Sequence, residues 1–134
     1  MDLTKCNALK RDFQLQPKPW IISVERFFNG NDDASSIGLT VDPYPGIDAF
    51  RDLLTGLLRR SDVEAVYAQL DELDLNEDVW PSADMFLVVG TISSDEVQNI
   101  LSPLMPIEVC PFEIGVPEMI KRLHTAPVVA ARWG

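Results

Sequence analysis

Alternation of apolar and polar positions predicts two strands early in the chain. The first is predicted over residues 20–28, where one face would carry four apolar side chains, Trp20, Ile22, Val24 and Phe28. Residues 29–33 have the composition of a turn, because they combine asparagine, glycine and aspartate. A second strand is predicted over residues 36–41, so the pair would form a hairpin with an acidic turn.

Apolar spacings of three and four predict two helices. Residues 47–60 would place their leucines on one face, which is the pattern of an amphipathic helix packed on a core. A second helix is predicted to begin after Ser93, because Ser93 and Glu96 form a capping box. Pro103 is expected to end that helix.

The rest of the second half contains a clear strand and an ambiguous segment. Residues 85–91 form a continuous apolar run rich in β-branched side chains, which predicts a central strand covered on both faces. Residues 63–73 fit a helical spacing and also an alternating one, so helix and strand both stay open. Residues 128–133 would either form a last strand or pack across the sheet.

These elements predict an α+β fold in a single domain. We expect a sandwich of two main helices on a four- to five-stranded sheet, mixed or antiparallel, with a possible ββα-ββα repeat. The domain, residues 1–134, would comprise an N-terminal arm (1–18), a core (20–105) and a C-terminal extension packed on that core (106–134). The repeat slightly favours a strand for the ambiguous segment and would place its two acidic loops at opposite ends of the sheet.

Charge is distributed unevenly along the chain. The net charge is −10, yet residues 61–120 contain thirteen acidic side chains and no lysine or arginine. A surface with this negative field repels nucleic acid and attracts basic surfaces. The sequence contains no run of eighteen apolar residues, so no membrane span is predicted. Residues 1–18 lack the apolar segment of a secretory signal. We therefore expect a cytoplasmic protein that binds neither membrane nor nucleic acid.

The densest acidic cluster surrounds a tryptophan and is the predicted partner-binding site. Its carboxylates would meet lysines and arginines of a basic protein partner, and the tryptophan would serve as an aromatic anchor. The alternative is a solvated loop with the tryptophan in the core. The spacing matches no EF-hand loop, so no metal site is expected. The predicted site consists of Asp71, Glu72, Asp74, Glu77, Asp78, Trp80 and Asp84.

The sequence contains no constellation typical of catalysis or of cofactor binding. His124 is the single histidine and has no base or nucleophile near it in sequence, so a structural role is expected. Cys6 and Cys110 are too few and too far apart for a disulfide framework or a thiolate site. The glycines are dispersed and form no phosphate loop. We therefore predict no catalytic residue and no cofactor.

Two segments resemble a group of small acidic bacterial proteins. They are the stretch from Trp20 through Pro45 to Phe50, and the later sequence Glu77-Asp-Val-Trp-Pro-Ser-Ala-Asp84. The resemblance covers residues 20–105 and is to immunity proteins encoded beside polymorphic or contact-delivered toxins. It implies a cytosolic inhibitor that neutralises a basic toxin enzyme domain. The alternative is a small enzyme or ligand-binding domain, with Asp84 or Glu108 in an acidic pocket for a cationic substrate.

Overall fold

A five-stranded antiparallel sheet forms the centre of the protein, and helices lie on both of its faces. The computed structural model describes all residues, 1–134. The sheet order is β1-β2-β3-β5-β4, and every neighbouring pair is antiparallel. The strands are β1 (Trp20–Ser23), β2 (Val63–Glu72), β3 (Ser82–Gly90), β4 (Glu108–Pro111) and β5 (Val128–Arg132). The helices are α1 (Leu3–Phe13), α2 (Val24–Phe28), α3 (Ile47–Gly56), α4 (Ser94–Leu101) and α5 (Glu118–Leu123).

The two faces of the sheet are covered unequally. Helices α1 to α4 pack on one face, where they enclose a core of 26 buried residues. Helix α5 alone contributes to the smaller core on the other face, through the buried Ile120. The even positions of β3, Phe86 and Val88, belong to the larger core, and the odd positions, Leu87 and Val89, belong to the smaller one. The continuous apolar run of β3 is thus explained by burial on both faces.

The α+β fold, the single domain and several elements agree with the sequence-based predictions. The ambiguous segment is a strand, β2, and residues 47–60 form α3 followed by a short 3₁₀ turn. Ser93 caps α4 as predicted, because its hydroxyl accepts a hydrogen bond from Glu96 N at 3.2 Å. None of the five helices is both long and apolar enough to cross a bilayer.

The predicted strand over residues 20–28 is wrong in its second half. The strand ends at Ser23, whose hydroxyl accepts a hydrogen bond from Arg26 N at 3.2 Å and caps α2. Val24 and Phe28 are four residues apart, so they share a helix face as readily as a strand face. The second predicted strand, residues 36–41, is also absent, and a 3₁₀ turn at Ala34–Ser36 begins that segment. The ββα-ββα repeat therefore does not exist.

The two ends of the chain belong to the core. Cys6 and Leu9 of α1 are completely buried, so the first residues are an integral helix of the larger core rather than an arm. Strand β5 lies between β3 and β4, so the residues after 105 complete the sheet instead of packing on it. Hydrogen bonds from Lys10 of α1 and from Asp33 after α2 connect both segments to the loop that follows β2, where the candidate site lies.

Candidate functional site

The acidic loop, residues 71–84, joins the end of β2 to the start of β3 and is held by side chains from distant parts of the chain. Lys10 is buried, with 5% of its surface exposed, and its Nζ donates to the carbonyls of Asp74 at 2.9 Å and Glu77 at 2.7 Å. Lys18 Nζ donates to the carbonyl of Asp71 at 2.9 Å. These ammonium groups bind main-chain oxygens, so they fix the shape of the loop without taking up its carboxylates.

The six carboxylates of the acidic loop form no ion pair within the protein. The structure contains eight ion pairs, and all of them involve acidic residues outside residues 71–84. Asp71, Glu72, Glu77 and Asp78 are exposed, whereas Asp74 and Asp84 are half-buried. Six carboxylates against the two ammonium groups of Lys10 and Lys18 leave the loop with a net negative charge on a rigid support. A net charge of this kind is the condition for a long-range attractive field toward cations.

Trp80 lies in the core, so the prediction of an exposed aromatic anchor at this position is wrong. Only 2% of its surface is exposed, and it belongs to the larger core cluster. Its main-chain N–H donates to Asp33 Oδ2 at 3.0 Å, whereas its indole Nε1 is buried without a hydrogen-bond partner. The sequence shows an acidic neighbourhood on both sides of Trp80, but the core in which its side chain is buried contains residues from Cys6 to Trp133, most of them distant in the chain.

A different tryptophan stands beside the acidic loop. Trp20, at the start of the edge strand β1, is half-buried, and Lys18 Nζ lies 5.0 Å from the centroid of its ring. Trp20 and Lys18 line a groove of about 490 Å³ whose opposite wall is residues 71–77. An ammonium over an indole is a favourable cation–π arrangement. The aromatic surface available near the carboxylates is therefore that of Trp20, which sequence analysis assigned only to a strand face.

The two acidic loops of the chain are neighbours, which corrects the expectation that they lie at opposite ends of the sheet. Asp33 bonds to Trp80, and a second groove runs between residues 35–40 and the acidic loop. This acidic groove has a volume of about 460 Å³. Of the predicted site residues, Asp78 and Trp80 do not line this groove. The five that line it are Asp71, Glu72, Asp74, Glu77 and Asp84.

Asp33 has the turn chemistry that its sequence context predicts. Its carboxylate accepts hydrogen bonds from Ser35 N at 2.9 Å and from the Ser35 hydroxyl at 2.6 Å, in addition to Trp80 N. Burial alone would raise the pKa of Asp33, but these hydrogen bonds outweigh burial and hold the pKa below its ordinary value. Asp33 is therefore a carboxylate that joins the turn after α2 to the acidic loop.

Asp84 is the carboxylate of the acidic groove with the most perturbed environment. In the pairing of β2 with β3, Gln69 faces Met85 and Leu70 faces Ala83, so Asp84 is the extra residue of a β-bulge. Bulges redirect a side chain from the regular alternation of a strand. Burial, and after it the nearby charge of Asp71, raises the pKa of Asp84 above its ordinary value of 3.8.

Replacing Asp84 by asparagine should stabilise the protein at neutral pH. The raised pKa means that folding disfavours the ionised carboxylate, so stability associated with Asp84 is fully present below pH 3.8 and is lost as the pH rises through the raised pKa. Asparagine stays neutral throughout. Urea denaturation should give a higher free energy of unfolding for Asp84→Asn at pH 7 and no gain at pH 3. An equal gain in the free energy of unfolding at both pH values would contradict ionisation of Asp84 as the cause.

Replacing Lys10 by methionine should loosen the acidic loop. The variant keeps the apolar stem but removes two hydrogen bonds from a charged donor, so we expect unfolding to become easier by about 2 kcal/mol. Amide hydrogen exchange at residues 74–78 should accelerate more than exchange in β3. Arg11→Met is the matched control, since Arg11 is the next residue of α1, is exposed and forms no ion pair or side-chain hydrogen bond. Equal exchange rates at residues 74–78 in both variants would contradict the conclusion that Lys10 holds the acidic loop in place.

The structure assembles a polar cluster that the sequence did not reveal. On the other face of the sheet, the Tyr67 hydroxyl lies 2.8 Å from His124 Nε2, and Glu64 Oε1 lies 3.4 Å from His124 Nδ1. The three residues are separated by 57 and 60 positions in the chain, so no spacing could have indicated the cluster. Burial raises the pKa of the Tyr67 hydroxyl.

The remaining candidate groups have structural surroundings. Glu108 pairs with Arg132 at 3.6 Å and, unlike Asp84, does not line the acidic groove. Burial raises the thiol pKa of both Cys6 and Cys110. Nowhere do three histidine, cysteine, aspartate or glutamate side chains converge as metal ligands would.

Comparison with known proteins gives a single family. A family model described as the Uncharacterized protein YfbO family matches residues 4–133. No curated protein and no solved structure matches the chain. The match begins at the second residue of α1 and ends at the residue after β5, so it covers every helix and strand of the fold apart from Leu3.

Proposed function

The chain belongs to the YfbO family, and from the geometry of its acidic loop we propose that it captures a basic partner protein. The observation that carries the proposal is that none of the six carboxylates of residues 71–84 forms an ion pair within the protein. Two lysines touch this loop, yet both bind main-chain carbonyls and leave the carboxylates free. Lysine and arginine side chains of a partner would supply the missing countercharges.

The support beneath the carboxylates favours a binding surface over a merely soluble loop. Lys10, Lys18 and Asp33 tie the loop to α1, to the segment before β1 and to the turn after α2. A loop held in one shape loses little conformational entropy when a partner binds, and this raises affinity. Trp20 adds a half-buried aromatic surface on the flank of the loop, where it would contribute apolar contact area.

We extend the proposal to a toxin enzyme domain that acts in the cytosol. This step rests on the resemblance of residues 20–105 to immunity proteins. Its test is growth of cells that express the neighbouring reading frame. We expect that reading frame to stop growth by itself and growth to resume when this chain is co-expressed. Lack of toxicity, or toxicity that co-expression does not relieve, would contradict the toxin as partner and leave the capture of some other basic protein to be tested.

Capture at two salt concentrations tests the binding proposal. The purified chain is immobilised through α5, which lies on the other face of the sheet. It is incubated with lysate of the source cell at about 0.05 M salt and then washed at about 0.5 M salt. We expect a basic protein to be retained at low salt and released at high salt. Retention of no protein, or only of proteins that are not basic, would overturn the proposal.

A second candidate function is binding of a small cationic ligand in the acidic groove. The half-buried Asp84 favours it, because a carboxylate with a raised pKa inside a concave site is typical of a ligand-binding group. Spermidine is a suitable probe at constant ionic strength. This candidate predicts a saturable rise in Tm that Asp84→Asn abolishes, whereas protein capture predicts no saturable rise.

A further inference from the structure

A pocket on the other face of the sheet lies away from the acidic loop. This α5 pocket has a volume of about 440 Å³ and lies between α5, the end of β4 and the start of β5. Its volume lies within the range of small-molecule sites. Its apolar wall contains half-buried side chains that the smaller core leaves partly open, namely Phe112, Val116 and Ala126, together with the buried Ile120 and Val128.

The rim of the α5 pocket offers one positive and one negative group. Lys121 and Glu113 both line the pocket and both are exposed. Neither belongs to any of the eight ion pairs, with each other or with a third residue. The pocket therefore presents an ammonium and a carboxylate, each without a partner, beside an apolar wall.

His124 forms part of the wall but is not free to bind a ligand through its ring nitrogens. Nε2 is engaged with the Tyr67 hydroxyl at 2.8 Å, and Nδ1 faces Glu64 at 3.4 Å. These contacts attach the end of α5 to β2 and keep the polar side of the pocket in place. The polar groups left for a ligand are Lys121, Glu113 and the hydroxyl of Thr125.

We propose that the α5 pocket binds a free α-amino acid with a hydrocarbon side chain. The ligand carboxylate would pair with Lys121 and accept from the Thr125 hydroxyl, and its ammonium would pair with Glu113. Its side chain would pack on Phe112, Val116 and Ala126. A zwitterion matches both unpaired charges of the pocket. A simple acid would leave Glu113 without a partner, and a simple amine would leave Lys121 without one. This site is independent of the acidic loop.

Three probes of equal hydrocarbon size test the proposal. L-Leucine carries both charges, 4-methylpentanoate lacks the ammonium, and 3-methylbutylamine lacks the carboxylate. In methyl NMR titrations we expect saturable shifts of Ile120 and Val128 with L-leucine and at least about tenfold weaker binding of both analogues. Equal binding of either analogue would overturn the proposal. It would also be overturned if L-leucine, L-valine and L-phenylalanine all failed to saturate these shifts up to about 10 mM.

Surface variants test whether Lys121 and Glu113 bind the carboxylate and the ammonium of the ligand. Lys121→Gln and Glu113→Gln should each weaken L-leucine binding by about tenfold, since each removes one charge-assisted contact. Arg122→Gln and Glu118→Gln are the matched controls, because both are exposed residues of α5 that do not line the pocket. All four positions are exposed, so the variants keep the fold. Equal weakening by the controls would show a general charge effect and contradict the site.

Discussion

Replacing Trp80 by alanine is expected to lower the free energy of unfolding by about 3–5 kcal/mol, because it empties a large volume in a closed core. Trp80 is one of the largest fully buried side chains of the protein, and its cluster includes residues of α1, α2 and β3. Alanine keeps the main-chain N–H that donates to Asp33 Oδ2, so the loss of stability would report the packing of the indole rather than this hydrogen bond. Urea denaturation followed by far-UV circular dichroism measures the change.

Two further variants separate packing from the polar end of the indole. Trp80→Phe keeps an aromatic ring and removes the buried Nε1–H that has no hydrogen-bond partner, so it should cost much less than alanine. Trp20→Ala should destabilise less than Trp80→Ala because Trp20 is only half-buried. A stable Trp80→Ala variant that loses only partner binding would contradict the core assignment and restore Trp80 as an anchor.

Reversing three charges of the acidic loop should slow association with the captured partner by at least about tenfold at low salt. We choose Glu72, Glu77 and Asp78, each replaced by lysine, because all three are exposed. Asp74 is left unchanged since its φ of +51° lies in the left-handed region, which aspartate tolerates better than lysine. The lost attraction acts on encounter, so the association rate constant from stopped-flow mixing is the quantity to compare.

A second triple reversal provides the control for net charge. Glu25, Glu113 and Glu118, each replaced by lysine, change the net charge by the same amount at exposed positions outside the acidic loop. We expect this control to reduce the association rate much less than the loop variant. If both triple variants slow association equally, the overall charge of the protein and not the loop attracts the partner.

Local patterns predicted those elements that local interactions determine. The capping box at Ser93, the leucine face of α3 and the apolar run of β3 each contain their own explanation in a few neighbouring residues. The prediction of a strand after Ser23 was wrong because the spacing of Val24 and Phe28 suits both a helix and a strand. There the serine cap decided the outcome, and its signal is weaker than hydrophobic spacing.

The candidate site was predictable in its composition but not in its geometry. The six carboxylates stand close together in sequence, so a dense negative cluster could be predicted directly. The burial of Trp80 depends on a core assembled from distant parts of the chain, and its main-chain bond to Asp33 spans 47 residues. The cluster of Glu64, Tyr67 and His124 likewise arises from the placement of α5 over β2. Such contacts follow from the order of the strands and helices in space. The sequence predicted that order wrongly, because it suggested a ββα-ββα repeat that the structure lacks.

The most direct test of the acidic loop as a capture surface is the ionic-strength dependence of its association rate. The rate constant with the captured partner is measured between about 0.02 and 0.5 M salt for the wild-type protein and the loop triple variant. We expect a steep fall for the wild type, a nearly flat profile for the variant and convergence of the two at high salt. Parallel profiles of equal slope would contradict the proposal that these carboxylates attract the partner.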